Sequence, residues 1–317
     1  MKRFIVKRLL GLVPVLFILS VIVFAFIHLI PGDPARVMLG DKVTEVEVEA
    51  LRESMHLNDS IPVQYIKWIS GVLRGNFGAS IFINENMLSL IGNHLAPTLL
   101  LTAYSMVFAI LVAIPLGITA AYRRGSALDL SIEGFAMAGI SIPSFLLGLV
   151  LTIVFSVKLR IFPASGYRTI GEAGVLGNLR YLALPAIALG SMQAGLLIRM
   201  TRSSVLEVLY SDYIRMVRAK GMDEITVIAK HALRNALLPI MTTAGQMMMA
   251  LLSGAAVIES VFNVPGVGQL IINSVTRRDY EVIQAIILLI AVINIVVCFF
   301  IDLLYGIVDP RVRLENH

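Results

Sequence analysis

Six long apolar stretches constrain this chain more than any other feature: residues 9–30, 97–122, 134–157, 181–198, 236–258 and 282–301. Each falls in the range of about 17–25 residues that carries a helix across a bilayer. Lipid offers backbone N–H and C=O groups no outside partner, so only helices and closed barrels cross it. A barrel strand is an alternating run of roughly ten residues, and these runs are longer and continuous. The expected fold is therefore an all-α membrane protein with six transmembrane helices. Composition agrees, since 57% of the 317 residues are apolar and 15% charged, where soluble domains carry about 25% charged residues.

The first stretch follows Lys2, Arg3, Lys7 and Arg8 and could be taken for a signal peptide. Its apolar part exceeds the usual core of such a peptide, and it exits through Ile30-Pro-Gly-Asp-Pro34 rather than a small-residue cleavage site. It reads as a retained helix. Basic residues then set the orientation. With the N-terminus inside, the cytoplasmic segments hold fifteen of the 26 basic residues, among them Arg123, Arg124, Arg199, Arg202, Arg311 and Arg313. Both termini are thus expected in the cytoplasm. The +5 net charge belongs to this asymmetry; without a basic–aromatic stripe it does not indicate nucleic acid.

Three regions follow: residues 1–30 (N-terminal tail and first span), 31–96 (extracytoplasmic), and 97–317 (the other five spans). The outer region is too long for a plain connection. Thr44-Glu-Val-Glu47 fits a capping box. Pro62 suits the first turn of an amphipathic helix with Ile66, Ile69, Val72 and Leu73 on one side, Tyr65 and Trp68 as interfacial residues and Gly75 as its stop. That helix fits a membrane surface or an external docking partner. Pro265, Gly266 and Gly268 form a second outer feature, a tight turn after the fifth span. Ala109, Ala113 and Gly117, and Ala186, Gly190 and Ala194, lie at four-residue spacing. Such rows serve close helix packing or a partner interface alike. Pro14, Pro115 and Pro143 are expected to kink or loosen their helices.

Reactive machinery is absent from the sequence. There is no Gly-Lys dipeptide and so no phosphate-binding loop of the Gly-x-x-x-x-Gly-Lys type, no His-Glu-x-x-His and no Gly-x-Ser-x-Gly. The histidines have no ligand spacing, and the lone Cys298 in an apolar run reads as a packed thiol. Few charges fall within the spans: Glu133 and Asp302 lie near cytoplasmic ends and Glu259 at an outer end. A proton- or sodium-coupled carrier uses ionisable groups at mid-depth.

One polar island remains, Ser211-Asp-Tyr-Ile-Arg-Met-Val-Arg-Ala-Lys-Gly221, continuing to His231-Ala-Leu-Arg-Asn-Ala-Leu-Leu-Pro239. Asp212 is expected to cap a helix ending at Lys220, with Gly221 in the left-handed conformation. Asp223 caps a second helix over residues 224–234 whose apolar stripe is Ile225, Ile228, Ala232 and Leu233; Pro239 suits the start of the fifth span. Such a helix–glycine–helix unit can bury Tyr213 and Met222 in a partner's groove.

At these residues the chain resembles the inner-membrane permeases of ATP-binding-cassette importers, in the peptide/nickel branch. The branch pattern D-Y-[IV]-R-x-[AV]-R-A-K-G reads Asp212 to Gly221, and H-x-L-R-N-A-x-x-P reads His231 to Pro239. Further matches are Arg8-Leu-Leu-Gly-Leu-Val-Pro14, Pro31-Gly-Asp-Pro34, Pro265-Gly-Val-Gly268, Arg278-Asp-Tyr280 with Val282-Ile-Gln284, and Asp309-Pro-Arg311. The broader importer pattern Glu-Ala-Ala-x-x-x-Gly is not followed, since Arg215, Met216 and Val217 occupy its first three positions. The resemblance implies a type I importer permease fold in the bacterial inner membrane. It implies that Glu207, Asp212, Tyr213, Arg215, Arg218, Ala219, Lys220, Gly221, Met222, Arg234 and Asn235, in the coupling region 207–239, receive the ATPase stroke. The implied partners are a second permease, two cytoplasmic ATPase subunits that hold ATP and magnesium, and an extracytoplasmic binding protein. No cofactor is implied on this chain, and the solutes implied are dipeptides, oligopeptides, glutathione-like peptides or nickel chelates. The competing classes are a secondary carrier without an ATPase and a membrane hydrolase; Ser105 and Ser253 have no histidine placed to activate them.

Overall fold

The computed structural model describes residues 2–28, 33–40, 43–78, 80 and 87–308. Pro31 and Gly32 of the first-span exit, the Asp309-Pro-Arg311 motif, Arg313, and the side chains of Lys2, Arg3, Lys7, Arg8 and Asp302 lie outside the described residues. Every regular element among the described residues is helical. In chain order they are α1 (Lys2–His28), α2 (Pro34–Leu39), α3 (Glu45–Ser54), α4 (Ile61–Leu73), α5 (Met87–Tyr122), α6 (Ala127–Ser141), α7 (Ser144–Leu151), α8 (Ile170–Leu209), α9 (Asp212–Ala219), α10 (Glu224–Thr226), α11 (Leu233–Phe262), α12 (Val267–Arg277) and α13 (Tyr280–Val308). π-helical turns Thr152–Lys158 and Val227–Ala232 extend α7 and join α10 to α11.

Among the described residues, four helices are long and apolar enough to cross a membrane: Met87–Tyr122, Ile170–Leu209, Glu224–Phe262 and Tyr280–Ile301. A fifth span is the pair Ala127–Ser141 and Ser144–Lys158, which is bent by 102° rather than straight. Pro143 stands at that bend and is the N-cap of α7; its ring disfavours helical geometry in the residue before it, and Ile142 is extended. The expected first span falls on α1, where Leu10–Ala25 is a shorter apolar helix. Pro14, Pro115, Pro185 and Pro239 are all accommodated inside continuous helices.

The chain divides into two compact units, Met1–Ala96 with Pro265–Val296, and Pro97–Val264 with Val297–His317. In the first, α4 is held to α1 by aromatic contacts of Phe17 and Phe24 with Tyr65, and of Phe24 with Trp68. Ser20 Oγ lies 2.7 Å from the Tyr65 hydroxyl, and Gln284 Nε2 donates to the Val23 carbonyl at 2.9 Å. Tyr65 and Trp68 therefore pack half-buried against α1, while Ile61, Ile66 and Leu73 of the same helix remain exposed. The Thr44–Glu47 capping box forms as expected, and α4 carries Pro62 in its first turn. Met87, Leu90 and Ile91 close a core with Leu270, Val282 and Ile286.

In the second unit α8 is the central helix, packed by α11, α6 and α7. Its small residues answer the question the sequence left open. A Cβ on Gly190 would lie 2.7 Å from the Ser105 carbonyl oxygen, and one on Gly117 would lie 2.6 Å from Thr201 Cβ. Ala109, Ala113 and Ala194 are buried in the same core, so these rows pack helices within the chain. Gly195 is a further close contact with backbone, its absent Cβ only 2.5 Å from the carbonyl oxygen of Ala136. Gly195→Ala is expected to destabilise by about 1–3 kcal/mol through overpacking, read as a lower unfolding temperature in detergent; Gly134→Ala, which meets no atom within 4 Å in the ordinary helical conformation of α6, serves as the contrast. The Cys298 thiol packs in this unit, donating to Met249 Sδ at 3.1 Å.

Candidate functional site: a helical handle between two long helices

The island begins where the 40-residue helix α8 ends at Leu209. Ser211, not Asp212, is the N-cap of α9; Asp212 is its first helical residue and makes a 3.1 Å ion pair with Arg215. The helix ends at Ala219, Lys220 is its C-cap, and Gly221 follows at φ +80°. A side chain at Gly221 would meet no atom within 4 Å, so glycine is needed there for its backbone alone. Asp223 then accepts from the Thr226 backbone N–H at 3.0 Å as the cap of the next helix. Hydrogen bonds from the Thr226 side chain and backbone hold the Asp223 carboxyl below its usual range. Its folded pKa is depressed, so the cap contributes above the ordinary carboxylate range and is lost as pH falls through the lowered value. Protection of the Thr226 amide, corrected for the intrinsic exchange rate, should accordingly persist through mild acid and fall only as pH drops below the ordinary carboxylate range.

The second helix is not the separate piece expected over residues 224–234. The turns Glu224–Thr226, Val227–Ala232 and α11 run on as one helix, Glu224–Phe262. Pro239 therefore sits inside it rather than at the start of a span. Side chains support the irregular stretch: Asn235 Nδ2 donates to the His231 carbonyl at 2.7 Å, and Thr243 Oγ1 to that of Pro239 at 3.0 Å. At about 1.5 Å rise per residue, this helix is close to 60 Å long; α8 breaks at Gly174, where the backbone leaves helical geometry, and its part after the break is about 50 Å long. The short helix α9 hangs between their ends.

The inner face of α9 is keyed into the core. Ile214 is fully buried and Val217 nearly so, packed with Val205, Leu209, Val227 and Ala232. Val217 thus lies on the buried side, not beside the exposed Tyr213. Across the Gly221 turn, Arg218 donates from Nε and Nη2 to Glu224 at 3.2 and 2.6 Å, which raises its pKa and braces the turn. The Tyr213 hydroxyl lies 2.7 Å from His231 Nδ1. Beside it a groove of about 490 Å³ is lined by Ser204, Glu207, Ser211, Tyr213, Asn235 and Pro239. The structure thus brings Glu207, Tyr213 and Asn235 to one groove and Arg218, Ala219, Lys220, Gly221 and Met222 to one turn. Arg234 belongs to the long helix, in the first turn of α11. The outer turn stands apart in the chain: Asn263 adopts left-handed geometry, Gly266 caps α12, and Gly268 lies within that helix.

The outer surface of the island is apolar and basic together. Tyr213, Met216 and Met222 are 42, 51 and 43% exposed, and Ile225 is 78% exposed. Ile225 was expected on the inner stripe; Val227 takes that place and is fully buried. Sequence reading also missed a buried ion pair beneath this region. Arg202 on α8 donates from Nε and Nη2 to the two carboxylate oxygens of Asp129 on α6, at 2.7 and 2.8 Å. The Gly125 N–H donates to the same carboxylate at 2.9 Å. No signal joins residues 73 positions apart in a chain, although the Ser126-Ala-Leu-Asp129 cap that seats the carboxylate is recognisable. Glu259 is likewise fully buried and accepts from Thr98 Oγ1 at 2.6 Å.

A bundle of membrane-crossing helices that presents a rigid, partly apolar helical handle is the architecture of a transport subunit. The comparisons agree. Residues 113–314 match the model of the binding-protein-dependent transport system inner membrane component, and residues 1–102 that of the N-terminal part of such membrane components. The chain belongs to this family, the multi-pass inner-membrane permeases of ABC importers. It is 42% identical over 318 residues to a putative peptide permease protein of Brucella suis, covering 99% of this chain and all of that one. It is 40% identical over 315 residues to the glutathione transport system permease protein GsiC of Escherichia coli, again with 99 and 100% coverage. A probable peptide ABC transporter permease protein of Sinorhizobium fredii is 37% identical over 313 residues with the same coverage. In structure, the methionine ABC transporter MetNI in an inward-facing conformation superposes at a TM-score of 0.60 and 20% identity, over 72% of this chain and all of that chain.

Proposed function

We infer that this permease carries small peptides into the cytoplasm, driven by ATP hydrolysis on separate subunits that dock on the 207–239 handle. The observation that carries the docking is the exposed set Met216, Met222 and Ile225, on α9, the turn after it and the first turn of the Glu224–Phe262 helix. Apolar side chains clustered among charges in an aqueous position mark a protein interface. Helix-in-groove recognition uses such faces, and methionine adapts to the groove that receives it. The curved path of force is short: α9 is keyed by Ile214 between the ends of two long helices, so a displacement of the handle moves α8 and α11. The small-peptide substrate class rests on the relatives, three of which are described as peptide or glutathione permeases. On this reading the termini are cytoplasmic, the second permease completes the pathway, and an extracytoplasmic binding protein delivers solute.

The test is reconstitution of the complete complex in proteoliposomes with trialanine as solute. Uptake is expected only with ATP, ATPase subunits and binding protein all present. Equal uptake by the two permeases alone would make the chain a secondary carrier and end this reading.

A further inference from the structure

The helix α4 has three unlike sides, and one of them is packed on α1. The Tyr65 hydroxyl lies 2.7 Å from Ser20 Oγ, Gln64 Oε1 lies 3.1 Å from His28 Nε2, and Trp68 packs against the Phe24 ring. With 27 residues, α1 is about 40 Å long, enough for a hydrocarbon core of about 30 Å. Ser20 lies about 12 Å below His28 along its axis. The adjacent residues Gln64 and Tyr65 therefore point to different levels: Gln64 to the outer end of α1, Tyr65 toward the middle of the bilayer.

That difference fixes which way the other two sides look. Ile69, Leu73 and Ile66 follow Tyr65 at roughly 40°, 80° and 100° round the helix, on the side away from Gln64. This apolar sector faces the bilayer core, and Ile66 and Leu73 in it are 63 and 81% exposed. Arg74 and Lys67 lie at roughly 180° and 200° from Tyr65, toward the outer end, where Lys67 pairs with Asp59 at 2.7 Å. Phe17, whose ring meets that of Tyr65, is exposed together with Ile18, Val21 and Ile22, so the apolar sector continues the lipid-facing side of a span. A helix that receives another helix within the membrane offers small residues, and none of these exposed side chains is small. A protein docking site is enriched in aromatic residues and arginine, but the two aromatics of α4 are committed to α1.

We propose that α4 is a lipid-binding interfacial helix, its Ile66, Ile69 and Leu73 seated on phospholipid acyl chains and its Lys67 and Arg74 at headgroup level. The leaflet is the one at the His28 end of α1, the outer one on the orientation read from the basic residues. An amphipathic helix so placed sinks its apolar side about 5–10 Å into the boundary between headgroups and chains. Through the Tyr65 and Trp68 contacts it then fixes the depth at which the outer end of α1 sits. Nothing in this depends on the solute carried.

Two measurements test it. In the first, a benzophenone amino acid replaces Ile66 or Leu73 in the complete complex, reconstituted in vesicles of palmitoyl-oleoyl-phosphatidylglycerol. After irradiation, mass spectrometry of α4 should show at both positions the added mass of one phospholipid, with or without binding protein. A crosslink to the binding protein or to the second permease in place of lipid, or no lipid adduct at either position, overturns the proposal. The second needs no substitution, because Trp68 is the only tryptophan of the chain. In the full chain reconstituted alone, Trp68 should lose emission to lipid brominated high in the acyl chain, and lose less to lipid brominated near the chain end. Emission unchanged by either lipid would place α4 above the bilayer and end the proposal.

Discussion

Arg202→Ala should destabilise the second unit by about 3–5 kcal/mol, the cost of leaving a buried carboxylate without its cation. Asp129 is 4% exposed at its side chain and Arg202 24%, and both donors of the guanidinium fork are engaged. Removing Asp129 as well relieves the orphaned charge, so Asp129→Ala with Arg202→Ala should be less destabilised than Arg202→Ala alone. Arg202→Lys should recover little, because an ammonium cannot make the two parallel bonds. Thermal unfolding of the single and double variants in lipid nanodiscs, assembled as a double-mutant cycle, reads the coupling. Additive effects would mean that the pair contributes nothing to holding α6 on α8.

Ile214→Ala is the second large effect. This side chain is fully buried and is the main anchor of the eight-residue helix α9. Truncating a buried isoleucine costs about 2–5 kcal/mol. The cost should fall on the handle rather than on the bundle, because α9 is short and its other buried residue is Val217. The expected outcome is a permease that retains its unfolding temperature while hydrogen exchange in α9 quickens and ATP-driven uptake is lost. Ile225→Ala, at a position 78% exposed, should leave exchange in α9 unchanged. A variant with loosened α9 and wild-type uptake would show that force does not pass through this helix.

Much of the fold was legible because lipid enforces simple rules. Apolar length located five of the six expected spans, the Thr44–Glu47 box formed, and Gly221 took its left-handed turn. What was missed has physical causes. The ends of α8 and α11 carry Arg199, Arg202, Lys230 and Arg234, and charge at a helix end reads as loop. The π-helical turn at Val227–Ala232 shifts the helical register, so Ile225 turned outward and Val227 inward. Helix α12 is eleven residues of mixed polarity after a strong turn signal, and it passed for part of the connection. Ser211 occupies the N-cap position one residue before Asp212 without a capping hydrogen bond from its side chain, a distinction that sequence preference does not make. The Asp129–Arg202 pair and the Gly195–Ala136 contact are tertiary; no local pattern encodes either.

The central claim is that the exposed Met216, Met222 and Ile225 receive a separate ATPase. It is tested most directly by replacing the three together with aspartate and measuring ATPase retention, ATP hydrolysis and trialanine uptake in the same proteoliposomes. All three side chains are exposed, so the unfolding temperature of the permease pair should not change. The ATPase subunits should dissociate, and uptake should fall to the level seen without ATP. Retained subunits with uptake at the wild-type rate would contradict the account.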